Sequence, residues 1–354
     1  MGLKAPFPYF GGKSKIAPAV WERFGVVGNY VEPFFGSGAV LLARPDEPGI
    51  ETVNDLDGFL VNFWRAIQSD PDAVAHYADW PVSEIDLHAR HGWLINRRAR
   101  LAWSLEDPEF YDPKIAGWWV WGMSCWIGSG WCSGRGPWMH DGAHLRDSRQ
   151  LPHLGTAGQG VKRNLPHLGN AGRGVNRQLP HLGDAGQGVN RQLPHLGDAG
   201  RGVNRKRPLA EYLQSLSDRL RRVRICCGSW DRVCGPSVTT KHGVTGVFLD
   251  PPYAFAERAA GLYAQDNDVS ADVRQWAIEH GDDPLLRIAL CGYQEEHEMP
   301  DSWSCVAWEP RVGFDGQNRD RDNKNRGRER IWFSPHCLNT GRVDEQPLFS
   351  TEVA

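Results

Sequence analysis

The sequence predicts an α/β fold: a mostly parallel sheet with helices on both faces. Three observations carry that expectation. Short apolar runs alternate with helix-period segments over residues 5–70 and again over 208–335. Two of the runs end in a Gly-x-Gly turn (Gly36 and Gly38) and in Asp250-Pro251-Pro252, which is how strands stop where an open α/β sheet meets a ligand. With 40% hydrophobic and 23% charged residues over 354 positions, the chain can bury a full core.

Taken in order, PFPYFGGKSK is punctuated by Pro and Gly and reads as loop, and APAVWERF as a short amphipathic helix. NYVEPFFGSGAVLLAR gives a strand, a glycine turn and a helical start. ETVNDLDGFLVNFWRAI gives a strand ending at Asn54-Asp55 and a helix with Leu60, Phe63, Trp64 and Ile67 on one face. After the middle of the chain, Leu209, Tyr212, Leu213, Leu216 and Leu220 form one helical stripe, and VRICC reads as a buried strand. VTGVFLDPPY is an apolar strand cut off by a carboxylate and two prolines. DVRQWAIEHG and LLRIALCGY supply a helix and a strand, and RERIWFS a last strand, with a polar, disordered tail expected over 339–354.

The expected division is a catalytic body over 1–75 and 208–338 with an inserted region at 76–207. Within the insert, GWWVWGMSCWIGSGWCSGRGPW fits neither the helical nor the strand period. Four tandem 14-residue units follow, starting at Leu151, Leu165, Leu179 and Leu193. Each offers few apolar side chains and several Gly, too little to bury a core against the entropy of ordering it, so a mobile surface loop is expected. Eight Lys or Arg against two Asp (184 and 198) also leave open a loop that tracks DNA. His153, His167, His181 and His195 recur once per unit, too far apart for ordinary metal-ligand spacing, and no metal is expected. The eight Cys show no C-x-x-C pair and read as buried reduced thiols.

In FLDPPY the proline pair removes two backbone donors, so the carbonyls of Asp250 and Pro251 lose their sheet partners. A carboxylate, free carbonyls and the Tyr253 ring then suit a flipped base bearing an amine. Asp250 and the Pro251 carbonyl accept its two N–H bonds, Pro252 fixes the turn, and Tyr253 stacks on the ring. Holding both hydrogens makes the lone pair available for in-line attack on a sulfonium methyl. EPFFGSG (Glu32, Phe34, Gly36, Ser37, Gly38) lets backbone approach a ligand at a strand-to-helix turn, and Glu32 can meet a cationic or hydroxyl-bearing group. Asp55 lies where an acidic side chain accepts ribose hydroxyls, or alternatively caps a helix.

The order of these elements resembles the Dam-like DNA adenine-N6 methyltransferases. FPYFGGK, with Tyr9 and Lys13, comes first; EPFFGSG, Asp55, an insertion and Asp250-Pro251-Pro252-Tyr253 follow. The resemblance implies a Rossmann-like class I methyltransferase sheet with an inserted DNA-recognition region. It also implies S-adenosyl-L-methionine as cofactor, held by Tyr9, Lys13, Glu32, Phe34, Gly36, Ser37, Gly38 and Asp55, with Trp230 beside its adenine. Where members of that family often carry Asn two residues after the ribose Asp, this chain has Asp57, a negative charge that must be placed. The insert matches no recognition domain of the GATC-type enzymes, so a target sequence does not transfer.

The implied partner is double-stranded DNA. The net charge of −3 requires any DNA surface to come from local clusters, such as NRRAR (96–100), Arg135 and NRDRDNKNRGRER (318–330). Gln346 to Phe349, in EQPLFS, weakly resembles peptides that dock on sliding clamps. No apolar run is long enough for a membrane span and no leader is evident, so a monomeric cytosolic protein of a bacterium, or of a phage acting in one, is expected. Cytosine-N4 or RNA amino-methylation and a catalytically silent DNA-binding protein remain alternatives. A nicotinamide oxidoreductase lacks support because position 41 is Leu where that fold needs a third Gly.

Overall fold

The computed structural model describes residues 3–7, 9, 12–126, 130–132, 138–140, 145–147, 209–252, 269–308 and 329–339. The Gln346–Phe349 peptide, the four repeats, Tyr253, Arg135 and residues 318–328 of the charged run lie outside the described residues.

The chain runs α1 (Ala17–Phe24), β1 (Asn29–Glu32), α2 (Ala39–Leu42), β2 (Ile50–Asp55), α3 (Gly58–Ser69), α4 (Pro71–Ala78), α5 (Glu84–Ile95), α6 (Arg98–Ser104) and α7 (Pro113–Cys125). Next come a small antiparallel ribbon, β3 (Trp138–His140) and β4 (Leu145–Asp147), then α8 (Leu209–Leu220), β5 (Val223–Cys227), β6 (Thr245–Leu249) and α9 (Ser270–His280). The described chain closes with β7 (Leu286–Tyr293), β8 (Ser304–Ala307) and β9 (Glu329–Phe333). Seven strands form one sheet in the order β5-β2-β1-β6-β7-β9-β8. β5, β2, β1, β6 and β7 pair in parallel, and β9 runs antiparallel to both β7 and β8. This is the Rossmann-like sheet that the sequence predicts, with a reversed strand added near one edge. The strand order changes direction between β1 and β6, the switch point where such sheets bind ligands beyond their carboxyl ends.

Alternating side chains feed two cores. Tyr30, Phe248, Ala289 and Cys291 point into one, packed with α1, α3, α7 and α8; Val31, Val247, Leu249, Ile288 and Leu290 point into the other, under Val273 and Ala277 of α9. Helices therefore cover both faces. The stripe Leu209, Tyr212, Leu213, Leu216 and Leu220 is buried as its spacing requires, as are Leu60, Phe63, Trp64 and Ile67 of α3.

Three expectations need correction. The first half of the Trp/Gly segment is helix α7, whose aperiodic sequence reflects burial around most of its circumference, including Trp119, Val120 and Trp121. A Cβ at Gly117 would stand 2.4 Å from Tyr77 Cβ and 2.8 Å from the Val74 carbonyl, so glycine sets how closely α4 can pack. VRICC is β5, an edge strand in which only Val223 is fully buried. Finally, the thiols are all free, but Cys226, Cys227, Cys305 and Cys337 are only half-buried. Among the described residues, no helix is long and apolar enough to cross a membrane.

Candidate active site

At the switch point, the ends of β1, β2, β5 and β6 surround a cleft of about 230 Å³. Glu32 ends β1, Asp55 ends β2, Trp230 sits in the 3₁₀ turn after β5, and Asp250 follows β6. Tyr9, Lys13, Phe34, Gly36, Ser37 and Pro252 also line it. Four motifs, the first and last more than two hundred residues apart, thus meet in one depression. Gly38 and Pro251 do not line the cleft.

The glycine turn owes its shape to packing as much as to ligand access. Gly36 and Gly38 have φ values of 48° and 68°, which a side chain rarely adopts. A Cβ at Gly36 would lie 2.9 Å from the Tyr9 ring, and one at Gly38 2.8 Å from Phe35. The Gly36 N–H donates to Asp55 Oδ2 at 3.0 Å, and Trp64 Nε1 donates to the Gly36 carbonyl at 3.0 Å.

Asp55 also accepts from the Asp57 N–H through Oδ1 at 3.0 Å. Burial outweighs these bonds and pushes its carboxyl up to about 6. The helix cap is instead Asp57, which accepts from the Phe59 N–H at 3.0 Å. The additional negative charge noted in the sequence is therefore spent on α3, with the Arg98 guanidinium lying over the adjacent Phe59 ring at 4.9 Å. Burial raises the Asp57 carboxyl and Arg98 pulls it back.

Glu32 is 2% exposed and accepts from the Tyr30 hydroxyl at 2.8 Å. Burial holds its carboxyl well above the usual range, and the neighbouring carboxylates Asp250 and Glu51 add to this. Phe34 and Trp230 lie nearly parallel, 6.4 Å between centroids at 25°, and Trp276 meets Trp230 edge-on.

Lys13 is not simply a cleft-lining cation. Its Nζ stands 2.9 Å from Asp250 Oδ1, joining the N-terminal Gly-Gly-Lys segment to the carboxylate after β6. Burial alone would lower the Lys13 ammonium, but Asp250 and Glu329 carry it above its ordinary value. Burial raises Asp250 while Lys13 opposes the rise. Each of the two facing groups opposes the effect of burial on the other.

Asn54, read from the sequence only as the strand end before Asp55, has a structural role at the site. It is 1% exposed, and its Nδ2 donates to the carbonyls of Pro33 at 3.1 Å and Gly228 at 2.9 Å, tying together the ends of β1, β2 and β5. A buried amide beside an acidic strand end was the available signal. Ser229 and Val269, which also line the cleft, come from turns with no distinguishing pattern.

Comparison with curated proteins gave no match. A family model does match part of the chain, ending well before Asp250 and covering Tyr9, Lys13, the glycine turn and Asp55. Residues 9–90 match the family model of the D12 class N6 adenine-specific DNA methyltransferases.

Proposed function

We propose that the chain transfers a methyl group from S-adenosyl-L-methionine to N6 of an adenine flipped out of double-stranded DNA. The observation that carries this reading is the placement of Asp250 at the switch point, across one cleft from Glu32, the glycine turn and Asp55.

The donor set fits the cofactor. Glu32 is a buried carboxyl that, among the described residues, has no cation within ion-pairing distance, and the ammonium of the amino-acid end would favour its ionised form against the burial that raises it. Asp55 suits the ribose hydroxyls, and Phe34 with Trp230 offers flat apolar walls for a purine. When bound, the cofactor supplies an electrophilic methyl.

The protein's own task concerns the acceptor. An exocyclic amine conjugated to its ring is a poor nucleophile. With Oδ1 of Asp250 engaged by Lys13, the orientation of the carboxylate is fixed and Oδ2 is left to accept one N–H. On the motif alone, Pro251, which does not line the cleft, offers its carbonyl to the second N–H, and Tyr253 is the ring that stacks on the base. Lys13 in this reading positions Asp250 rather than holding the cofactor.

Incubation with duplex DNA and the methyl donor, followed by digestion to nucleosides and mass spectrometry, is expected to yield N6-methyladenine. N4-methylcytosine without N6-methyladenine would refute the adenine assignment, and methylation of RNA alone would refute the DNA assignment.

A further inference from the structure

Beside the cleft, the helices of the inserted region build a surface that the methyl-transfer chemistry does not use. α6 packs on the start of α3: Leu105 lies 3.3 Å from where a Cβ of Gly58 would stand, and Arg98 covers Phe59. Leu101 and Leu105 turn inward, which leaves Arg97, Arg100 and Trp103 at successive i, i+3 positions on the outer side. Trp103 is 72% exposed.

The surface continues across α5 and α7. The Arg97 guanidinium sits 3.5 Å from the Trp93 ring centroid. Lys114 Nζ lies 4.5 Å from the Trp118 centroid and 5.1 Å from that of Trp93, and the two indoles meet edge to face at 4.8 Å. Rings hold these cations in place without neutralising them. Among the described residues, none of Arg97, Arg100 and Lys114 has a carboxylate within ion-pairing distance. The acids Glu106, Asp107, Glu109 and Asp112 lie between α6 and Lys114, with Asp112 capping α7 through the Ile115 N–H, and none of them reaches ion-pairing distance of the three cations.

We infer that Arg97, Arg100 and Lys114, with Trp93, Trp103 and Trp118, form a docking surface for the phosphate backbone of duplex DNA flanking the target base. The inference rests on the functional reading above. A chain of net charge −3 attracts a polyanion only where cations gather unpaired, and Arg98, next to Arg97, lies over Phe59, two residues from the cleft-lining Asp57. Contacts of this kind fix the register of the duplex and carry no base identity.

The test is an anisotropy titration of a labelled mixed-sequence duplex between about 50 and 200 mM salt, using wild type, Arg100→Gln, Lys114→Gln and the double variant. Each lost phosphate contact reduces the slope of log K against log[salt] by about 0.9, so the double variant should lose nearly twice that and bind several-fold more weakly. Methyl-donor affinity by calorimetry and the melting midpoint should stay at wild-type values, which separates a lost contact from a damaged fold. A double variant with the wild-type slope and affinity overturns the docking surface. If the wild type makes N6-methyladenine and that result is still seen, only this surface is wrong; if the wild type does not methylate DNA, the functional reading itself fails.

Discussion

The Lys13–Asp250 pair links two short motifs that no sequence spacing connects. Each motif was legible on its own, but their salt bridge was not, because it depends on the N-terminal segment folding back over the end of β6. Removing one partner of a buried pair leaves an uncompensated charge, at a cost on the order of 3–5 kcal/mol if the group stays ionised. Lys13→Met should therefore drive Asp250 towards its protonated form. Protonation puts a hydrogen on one Asp250 oxygen and weakens the carboxyl as an acceptor, so the acid limb of the pH–rate profile for methyl transfer should move to higher pH, with activity partly restored in alkaline buffer. An unshifted limb with a uniformly lowered rate would contradict the positioning role. Asp55 gives a second pH dependence. Its folded-state value is about 6, raised by burial, so it is ionised above that pH and protonated below it. Methyl-donor affinity measured by calorimetry should weaken as pH falls from about 7 through 6 to 5, and this dependence should vanish in Asp55→Asn.

Among the elements, strands and amphipathic helices were readable wherever one face meets water, as in α3 and α8. Reading failed where that contrast disappears. α7 is enclosed by α3, α4 and α5, and β5 lies at the sheet edge while carrying an apolar run. β8, a four-residue strand, left no periodic trace. The glycines of α7 now have a specific explanation: Gly117 faces the backbone of α4, which cannot move aside as a long side chain would. Gly117→Ala should lower stability in urea denaturation by about 1–3 kcal/mol despite alanine's better helix propensity. A stabilised variant would show that α4 and α7 are not packed as described.

For the whole molecule, the sheet order places the glycine turn, Asp55 and Asp250 at one switch point, and this was legible in outline from the alternation of elements alone. The cleft draws on β1, β2, β5 and β6 together with the N-terminal segment, so an occupant bridges much of the fold. Saturating S-adenosyl-L-methionine at about a hundred times its Kd should stabilise the protein by about 2.7 kcal/mol and raise the melting midpoint by a few degrees. Nicotinamide dinucleotides should leave it unchanged. The reverse pattern would favour an oxidoreductase.

The central claim is that Asp250 grips the acceptor amine and takes no part in holding the methyl donor. Asp250→Ala, compared with wild type in single-turnover methyl transfer to duplex DNA and in donor calorimetry, tests both halves at once. The transfer rate should fall by at least about 10²–10³-fold with donor affinity nearly unchanged. Transfer at close to the wild-type rate would contradict it.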